Sequence, residues 1–168
     1  MIRLEKEHFA ISFIFAGKLD SGDKITIMVS KKIVSLHGAE LPEAGQRREI
    51  KGGPLYDRGH VLELLDKEKN IQAWTRKCRD DLQNWGLDPE DIVELISMSL
   101  SEGNFLGSQW CEQEENGPWA ACDAYSIFRL EWSEAAHRKI STEYYVKFAI
   151  NKTGKLLLIV SCHPSSFR

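Results

Sequence analysis

Short apolar runs separated by turn residues make up the first third of the chain. Three runs rich in apolar and β-branched residues are typical of strands, and they lie at residues 8–15, 25–30 and 32–36. Residues 40–54 are rich in glycine, proline and charge, as linkers are. We therefore predict a β-rich N-terminal extension over residues 1–54 and a second unit over residues 55–168.

From residue 55 the apolar spacing changes to that of helices. Residues 61–65 give one short apolar face, and a longer stripe then recurs at steps of three and four. The members of that stripe are Ile71, Trp74, Cys78, Leu82 and Trp85. The spacing predicts two helices, the second of which ends at Gly86 because glycine readily takes the left-handed conformation of a helix end.

A third helix is predicted from its start signal. Asp88 is a good N-cap residue, and Pro89 suits the first helical position. Gly103 is placed to close this helix. We interpret residues 103–119 as a long loop, since they carry three glycines and an acidic run. Three strands follow, at about 120–130, 142–150 and 155–163.

The turn between the last two strands predicts their register. Asn151–Gly154 favours a bulged type I turn, which would place Lys147 opposite Ile159. Because side chains alternate across a sheet, one face is then a core face. The predicted core face holds Val146, Phe148, Ile150, Leu156, Leu158, Val160 and Cys162. The other face carries Tyr145, Lys147 and His163.

The strand before this hairpin can add polar groups to the same face. Asp123, Tyr125 and Arg129 alternate with mostly apolar residues in the predicted strand at 120–130. If the apolar set packs inward, these three side chains join Lys147 and its neighbours. The sequence therefore predicts one sheet face rich in phenol, amine, imidazole and guanidinium groups.

Charge is distributed unevenly along the chain. The net charge of the 168 residues is −3, which does not favour nucleic-acid binding by the protein as a whole. Residues 138–168 nevertheless hold six lysines and arginines against one glutamate, Glu143. A basic sheet face is therefore compatible with an acidic chain. No apolar run is long enough to cross a bilayer and no signal peptide is recognisable, so we expect a cytoplasmic protein without a membrane partner.

The four cysteines show no paired spacing. Cys78, Cys111, Cys122 and Cys162 include no C-x-x-C pair, whereas zinc sites usually carry such pairs. Buried, reduced thiols are the first interpretation. A metal site made of Cys111, Cys122 and His163 is the alternative.

Seven short motifs follow one another in the second unit. They are Val61–Leu65, Thr75–Arg76, Gly86–Asp88, Leu100–Phe105, Asp123–Tyr125, Tyr145–Phe148 and Leu158–Ser161. In order and spacing, this series resembles the motility quorum-sensing regulator (MqsR) toxin family, which belongs with the RelE-like ribonuclease toxins. The resemblance covers about residues 56–163.

The resemblance implies both a fold and an activity. The fold is α+β, with helices packed on one face of a C-terminal antiparallel sheet. The activity is that of an mRNA endoribonuclease from a type II toxin–antitoxin system, which acts without metal or cofactor, either free or on the ribosome, and has a cognate antitoxin as partner. The family's catalytic tyrosine falls on Tyr145, and a lysine near the end of its last strand falls on His163. Its other lysine falls on Gly107, and its glutamine falls on Cys122.

Cutting RNA without a metal requires a base for the 2′-hydroxyl, a cation for the phosphorane charge and an acid for the leaving oxygen. Tyr145, Lys147 and His163 are the predicted catalytic residues, because an imidazole titrates near neutrality and an ammonium stabilises negative charge. The predicted substrate-binding residues are Asp123, Tyr125 and Arg129. Two alternatives stay open, a non-catalytic binding protein on the same fold and a metal-assisted hydrolase that uses the cysteine site.

Overall fold

The computed structural model describes residues 32–38, 40–43 and 48–165. Within these ranges the chain forms three α-helices and a six-stranded mixed sheet, which confirms the predicted α+β class. The helices are α1 (Arg58–Leu65), α2 (Arg76–Trp85) and α3 (Pro89–Glu102). The strands are β1 (Glu49–Ile50), β2 (Ile71–Ala73), β3 (Asn104–Glu112), β4 (Trp119–Ser133), β5 (Arg138–Ile150) and β6 (Leu157–Pro164). The predicted strands at 8–15 and 25–30 lie outside the described residues.

The sheet has the strand order β1-β3-β4-β5-β6-β2, and only β2 runs parallel to its neighbour. The second predicted helix is therefore wrong in its first half. Ile71 belongs to β2, and the Trp74 amide donates to the carbonyl of Ile159 in β6. Their spacing from Cys78 matches a helical stripe by coincidence, because a short strand runs directly into α2.

The helix ends follow from the capping residues. Gly86 takes the left-handed conformation at φ 63° and ends α2, as predicted. Asp88 and Asp91 form a reciprocal capping box at the start of α3, next to Pro89. Both boundaries are thus set by local chemistry. In the described part of the chain, no helix is long and apolar enough to span a bilayer.

The predicted loop at 103–119 is wrong for most of its length. Residues 104–112 form β3, and only 113–118 connect it to β4. Trp110 and Trp119 are buried together with Ala121 in a small apolar cluster that is separate from the main core. Their burial places both indole rings in the interior of the protein.

Residues 32–36, predicted as a third strand, form an extended segment with two single bridges. Ile33 bridges Trp119, and Ser35 bridges Asn151. The pairing of β4 with β5 starts only at Asp123, so this segment lies where the two strands are not paired with each other. It thereby extends the hydrogen bonding at that end of the sheet. The division of the chain at residue 54 stays a prediction.

The three helices pack on one face of the sheet, which we call the helix face. Asp91 of α3 binds Arg129 of β4, and α2 contacts β6, with Cys78 and Cys162 in the same apolar core. The register puts Arg129 and Cys162 on the side of β5 that carries Val146. The opposite side carries Tyr145 and Lys147, and we call it the open face.

One extra residue in β6, Val160, interrupts its pairing with β5. On the turn side of Val160, Phe148 pairs with Ile159, whereas beyond it Lys147 pairs with Ser161 and Tyr145 with His163. The predicted register is therefore off by one near the turn and by two past the bulge. Because an offset of two keeps side chains on the same face, the prediction that Tyr145, Lys147 and His163 share a face is confirmed.

The bulge also changes the predicted core face. Val146 and Phe148 point to the helix side, as predicted. Leu158 pairs with Ala149 and so lies on the open side, where we predicted the opposite. The residues of β6 from 157 to 160 are all buried, so their apolar character carries no information about which face they take.

Asp123 is a structural carboxylate on the helix face. It is fully buried, accepts hydrogen bonds from the Leu55 and Tyr56 amides at 2.8 and 3.2 Å, and accepts another from the Ser108 hydroxyl at 2.6 Å. It therefore connects the chain before α1 to both β3 and β4. The prediction that Asp123 shares the face of Tyr145 is wrong.

Tyr125 and Arg129 also lie on the helix face, so the same prediction is wrong for them. Tyr125 stacks on Phe148 with ring centroids 5.8 Å apart. Arg129 donates to Asp91 at 2.6 Å and to Glu131 at 2.7 Å. Nine consecutive residues of β4, 119–127, are buried, so alternation could not assign their faces from sequence.

Replacing Asp123 with alanine should destabilise the fold. Two buried backbone amides would lose their acceptor, so we expect the free energy of unfolding to fall by about 3 kcal/mol in urea titrations. The control is Asp66→Ala, since Asp66 is exposed at the end of α1 and should change stability by less than about 0.5 kcal/mol. Equal stability of the two variants would contradict the structural role of Asp123.

The ion pair between Arg129 and Asp91 should make the free energy of unfolding depend on pH. Burial alone would raise the pKa of Asp91, but hydrogen bonds from Arg129 and from the Asp88 amide outweigh it and lower that pKa. A lowered folded-state pKa stabilises the protein above the unfolded value of about 3.9, and that stabilisation is lost as pH falls through the folded-state pKa.

Arg129→Met tests this dependence. We expect the variant to lose about 2 kcal/mol of unfolding free energy at neutral pH, and this deficit should shrink toward about pH 3. Urea unfolding across the pH range measures it. Arg138→Met, at an exposed position of β5, is the control and should show no such pH-dependent deficit. A deficit that is constant with pH would exclude the Asp91 pairing as its source.

Candidate functional site

Tyr145 and His163 are direct partners across the open face. They occupy paired positions of β5 and β6, and their ring centroids are 5.7 Å apart. The Lys147 Nζ lies 5.2 Å from the centroid of the Tyr145 ring. The three predicted catalytic residues are thus brought together by two strands.

A cleft of about 540 Å³ opens beside Tyr145 and His163, and we call it the Tyr145 cleft. Its lining residues are Leu106, Ser126, Glu143, Tyr145, His163, Pro164 and Ser165. Tyr145 and His163 are half-buried and both line the cleft. The volume is in the range of small-ligand sites.

The hydrogen bonding of His163 fixes its tautomer. Its Nδ1 lies 3.0 Å from the carbonyl oxygen of Pro164. Because a carbonyl oxygen can only accept, Nδ1 is the nitrogen that carries the proton. In the neutral imidazole, Nε2 therefore holds the lone pair, and that nitrogen can act as a base.

Lys147 is a buried cation without a carboxylate partner in the described part of the chain. Its exposed fraction is 8%, and none of the salt bridges among the described residues includes it. Burial would lower the pKa of Lys147, but the negative charge of Cys111 and a hydrogen bond with Tyr145 outweigh burial and raise that pKa. Lys147 is therefore held as an ammonium next to the Tyr145 ring.

Lys147 also borders a second cleft, of about 340 Å³, which we call the Lys147 cleft. Cys111, Gln109 and Ser161 line it together with the first residues of α2. The two clefts lie on the same face, since Tyr145 and Lys147 are two residues apart in β5.

Sequence reasoning missed Ser126 and Leu106 as members of the site. Ser126 pairs with Tyr145 across β4 and β5, which an assignment of β4 to the correct face would have revealed. Leu106 is an extra residue in β3 between Phe105 and Gly107, and no sequence signal marks such a bulge. The site is thus built from four neighbouring strands.

The alternative metal site does not assemble. No group of three or more histidine, cysteine, aspartate or glutamate side chains is arranged to hold a metal ion in the described ranges. Cys111 and Cys122 interact with each other, but His163 is part of the other cleft. The interpretation of the cysteines as buried thiols agrees with their positions, because all four are buried and unbridged.

Comparison with known proteins adds no relative. No family model, no curated protein and no solved structure matches this chain. The resemblance to the MqsR family therefore depends on the motif series alone, and the chemistry of the site has to be argued from its own geometry.

Gly107, where the family's lysine would fall, has a backbone that disfavours lysine. Its φ is 129°, a conformation that residues with a side chain rarely adopt, and it directly follows the bulged Leu106. A lysine at position 107 of this bulged strand would therefore strain the backbone. The glycine keeps Leu106 at the edge of the Tyr145 cleft.

We expect Gly107→Ala to lose about 1–3 kcal/mol of unfolding free energy from backbone strain alone, because no atom lies within 4 Å of the added methyl group. Gly38→Ala is the matched control. Its methyl group also meets nothing within 4 Å, and its φ lies outside the left-handed region. Chemical denaturation of both variants would refute the strain argument if their stabilities changed equally.

Proposed function

We propose that this protein is an mRNA endoribonuclease that cuts RNA by attack of the 2′-hydroxyl on the neighbouring phosphate. The observation that carries the proposal is the pairing of Tyr145 with His163 at a cleft, with the ammonium of Lys147 beside the tyrosine. A base, a hydroxyl donor and a fixed cation are the groups that this reaction needs.

Each residue has a role in the proposed mechanism. Nε2 of neutral His163 takes the proton from the 2′-hydroxyl, whose oxygen then forms a bond to phosphorus. Lys147 stabilises the extra negative charge of the phosphorane. Tyr145 donates a hydrogen bond or its proton to the leaving 5′-oxygen, since a phenolic hydroxyl can act as a donor. The products are a 2′,3′-cyclic phosphate and a 5′-hydroxyl.

The fold supports a place among the RelE-like toxins. Helices cover one face of an antiparallel core sheet. The proposed site lies on the opposite face, on the last two strands. Two of the family's site positions differ here, at Gly107 and Cys122, and both lie on strands that border the site. Lys147 supplies a buried cation on the same face, so we propose that it replaces the missing lysine.

The proposal includes a cognate antitoxin as protein partner. The β4–β5 hairpin extends beyond the other strands, and its open side shows a row of exposed apolar side chains. The row consists of Phe128, Leu130 and Trp132, of which Leu130 is 70% exposed. Contiguous exposed apolar surface of this kind marks protein–protein contacts. An antitoxin bound there would also reach the Tyr145 cleft.

That apolar row equally favours the second candidate, a binding protein without catalysis. Such a protein would use the open face for a partner chain and would leave RNA intact. Toxicity on expression separates the two candidates, because the ribonuclease should arrest growth and the binding protein should not.

Variants of the paired rings test the proposed mechanism. We expect His163→Ala and Tyr145→Phe each to lower the rate of RNA cleavage by about 10²–10³, the usual effect of removing one catalytic group. The rate is measured with purified protein and a long RNA in the presence of a chelator.

Two matched variants serve as controls. His137→Asn changes an exposed histidine in the β4–β5 turn. The φ of this residue is 48°, which asparagine also adopts readily. Tyr144→Phe removes a hydroxyl from the other face of β5. Both should cut RNA at the wild-type rate. If all four variants cut equally fast, the Tyr145–His163 pair is not the catalytic site.

A further inference from the structure

Two thiols and an ammonium from three neighbouring strands meet on the open face. Cys111 of β3 pairs with Ala120 of β4, so Cys122 lies diagonally across from it on the same face. The Cys122 thiol donates to the Ala120 carbonyl at 3.3 Å, and the Cys111 sulfur lies 3.8 Å from the Gln109 carbonyl oxygen. Lys147 of β5 acts on both sulfurs through its charge. The proposed ribonuclease mechanism uses neither cysteine.

The buried Lys147 needs a negative partner, and Cys111 is the group placed to provide it. A buried ammonium without a counter-charge is costly, and no carboxylate is paired with Lys147 among the described residues. The neighbouring Cys122 thiol lowers the pKa of Cys111, and the charges of Lys147 and Arg48 add to that effect against the opposing effect of burial. The proximity of Cys111 raises the pKa of Lys147. Each of the two groups thus favours the charged form of the other.

Cys111 is 8% exposed and borders a cleft, whereas Cys122 is fully buried. Cys111 lines the Lys147 cleft of about 340 Å³, which has room for a peroxide or a small alkylating agent. Cys122 is fully buried behind it. The other two cysteines, Cys78 and Cys162, are fully buried between helices and sheet, and burial raises the pKa of each to about 12. They are internal controls.

We propose that Cys111 is a nucleophilic modification site for hydrogen peroxide and other small electrophiles, with Lys147 and Cys122 as the groups that stabilise its thiolate. The Cys111 sulfur attacks one oxygen of the peroxide, an S–O bond forms and the O–O bond breaks. The sulfur loses two electrons and becomes a sulfenic acid, which keeps one peroxide oxygen, while the other oxygen gains the two electrons and leaves as hydroxide. This site shares Lys147 with the proposed ribonuclease site, but its reaction is measured at the thiol and does not require RNA cleavage.

The test compares the four cysteines within one folded protein. Purified full-length protein is treated briefly with iodoacetamide near neutral pH, digested, and analysed by mass spectrometry for alkylation at each cysteine. We expect Cys111 to react at least about tenfold faster than Cys78 and Cys162, since reactivity follows the thiolate fraction and access. In a parallel sample with hydrogen peroxide and dimedone, the adduct should form first on Cys111.

Two variants of Lys147 test the source of the reactivity. Lys147→Met should slow alkylation of Cys111 about tenfold, whereas Lys147→Arg should keep most of the rate because it retains the positive charge. Circular dichroism of each variant establishes that it is folded. The proposal is overturned if Cys111 reacts no faster than Cys78 and Cys162 in the wild type, if dimedone labels those two first, or if a folded Lys147→Met keeps the full rate.

Discussion

The insertion of Val160 into β6 determines which side chains meet on the open face. If the pairing near the turn continued without it, His163 would lie opposite Tyr144 and point toward the helices. The bulge shifts the strand by one residue and places His163 opposite Tyr145 instead. The Thr75 hydroxyl donates to the Val160 carbonyl and also caps α2. The start of α2 and the composition of the site are therefore coupled through one bulged residue.

The two faces of the sheet divide the polar chemistry of the chain. On the helix face, Asp123 and Arg129 are held by fixed partners and stabilise packing. On the open face, Lys147 has no carboxylate partner in the described part of the chain, and Tyr145 and His163 border a cleft. The helix-face groups are enclosed between the sheet and the helices, whereas Tyr145 and His163 border a cleft in which a ligand can reach them. This difference separates the structural residues Asp123 and Arg129 from the candidate site residues Tyr145 and His163.

Local signals in the sequence predicted the elements that depend on local chemistry. Asp88 and Gly86 marked helix ends correctly because capping is a short-range interaction. The faces of β4 and the bulges at Leu106 and Val160 were not predictable in the same way. A strand buried on both sides loses its alternation, and a bulge is selected by contacts with elements distant in sequence.

Tyr145, Lys147 and His163 were placed on one face despite a wrong register. An offset of two residues keeps the face and changes only the partners, so the error did not affect the site. The prediction that the Cys111 and Cys122 thiols are buried is confirmed, but nothing in their spacing indicates that they lie near Lys147. That proximity depends on the order β3-β4-β5 in the sheet.

The chemistry of the RNA ends distinguishes attack by the 2′-hydroxyl from other routes of RNA cleavage. Purified protein is incubated with a long RNA in excess chelator, and the termini of the products are identified by mass spectrometry. We expect 2′,3′-cyclic phosphate or 3′-phosphate ends with 5′-hydroxyls, and no cleavage at a position that carries a single 2′-deoxynucleotide. Intact RNA, or 5′-phosphate ends that require added metal, would contradict this mechanism.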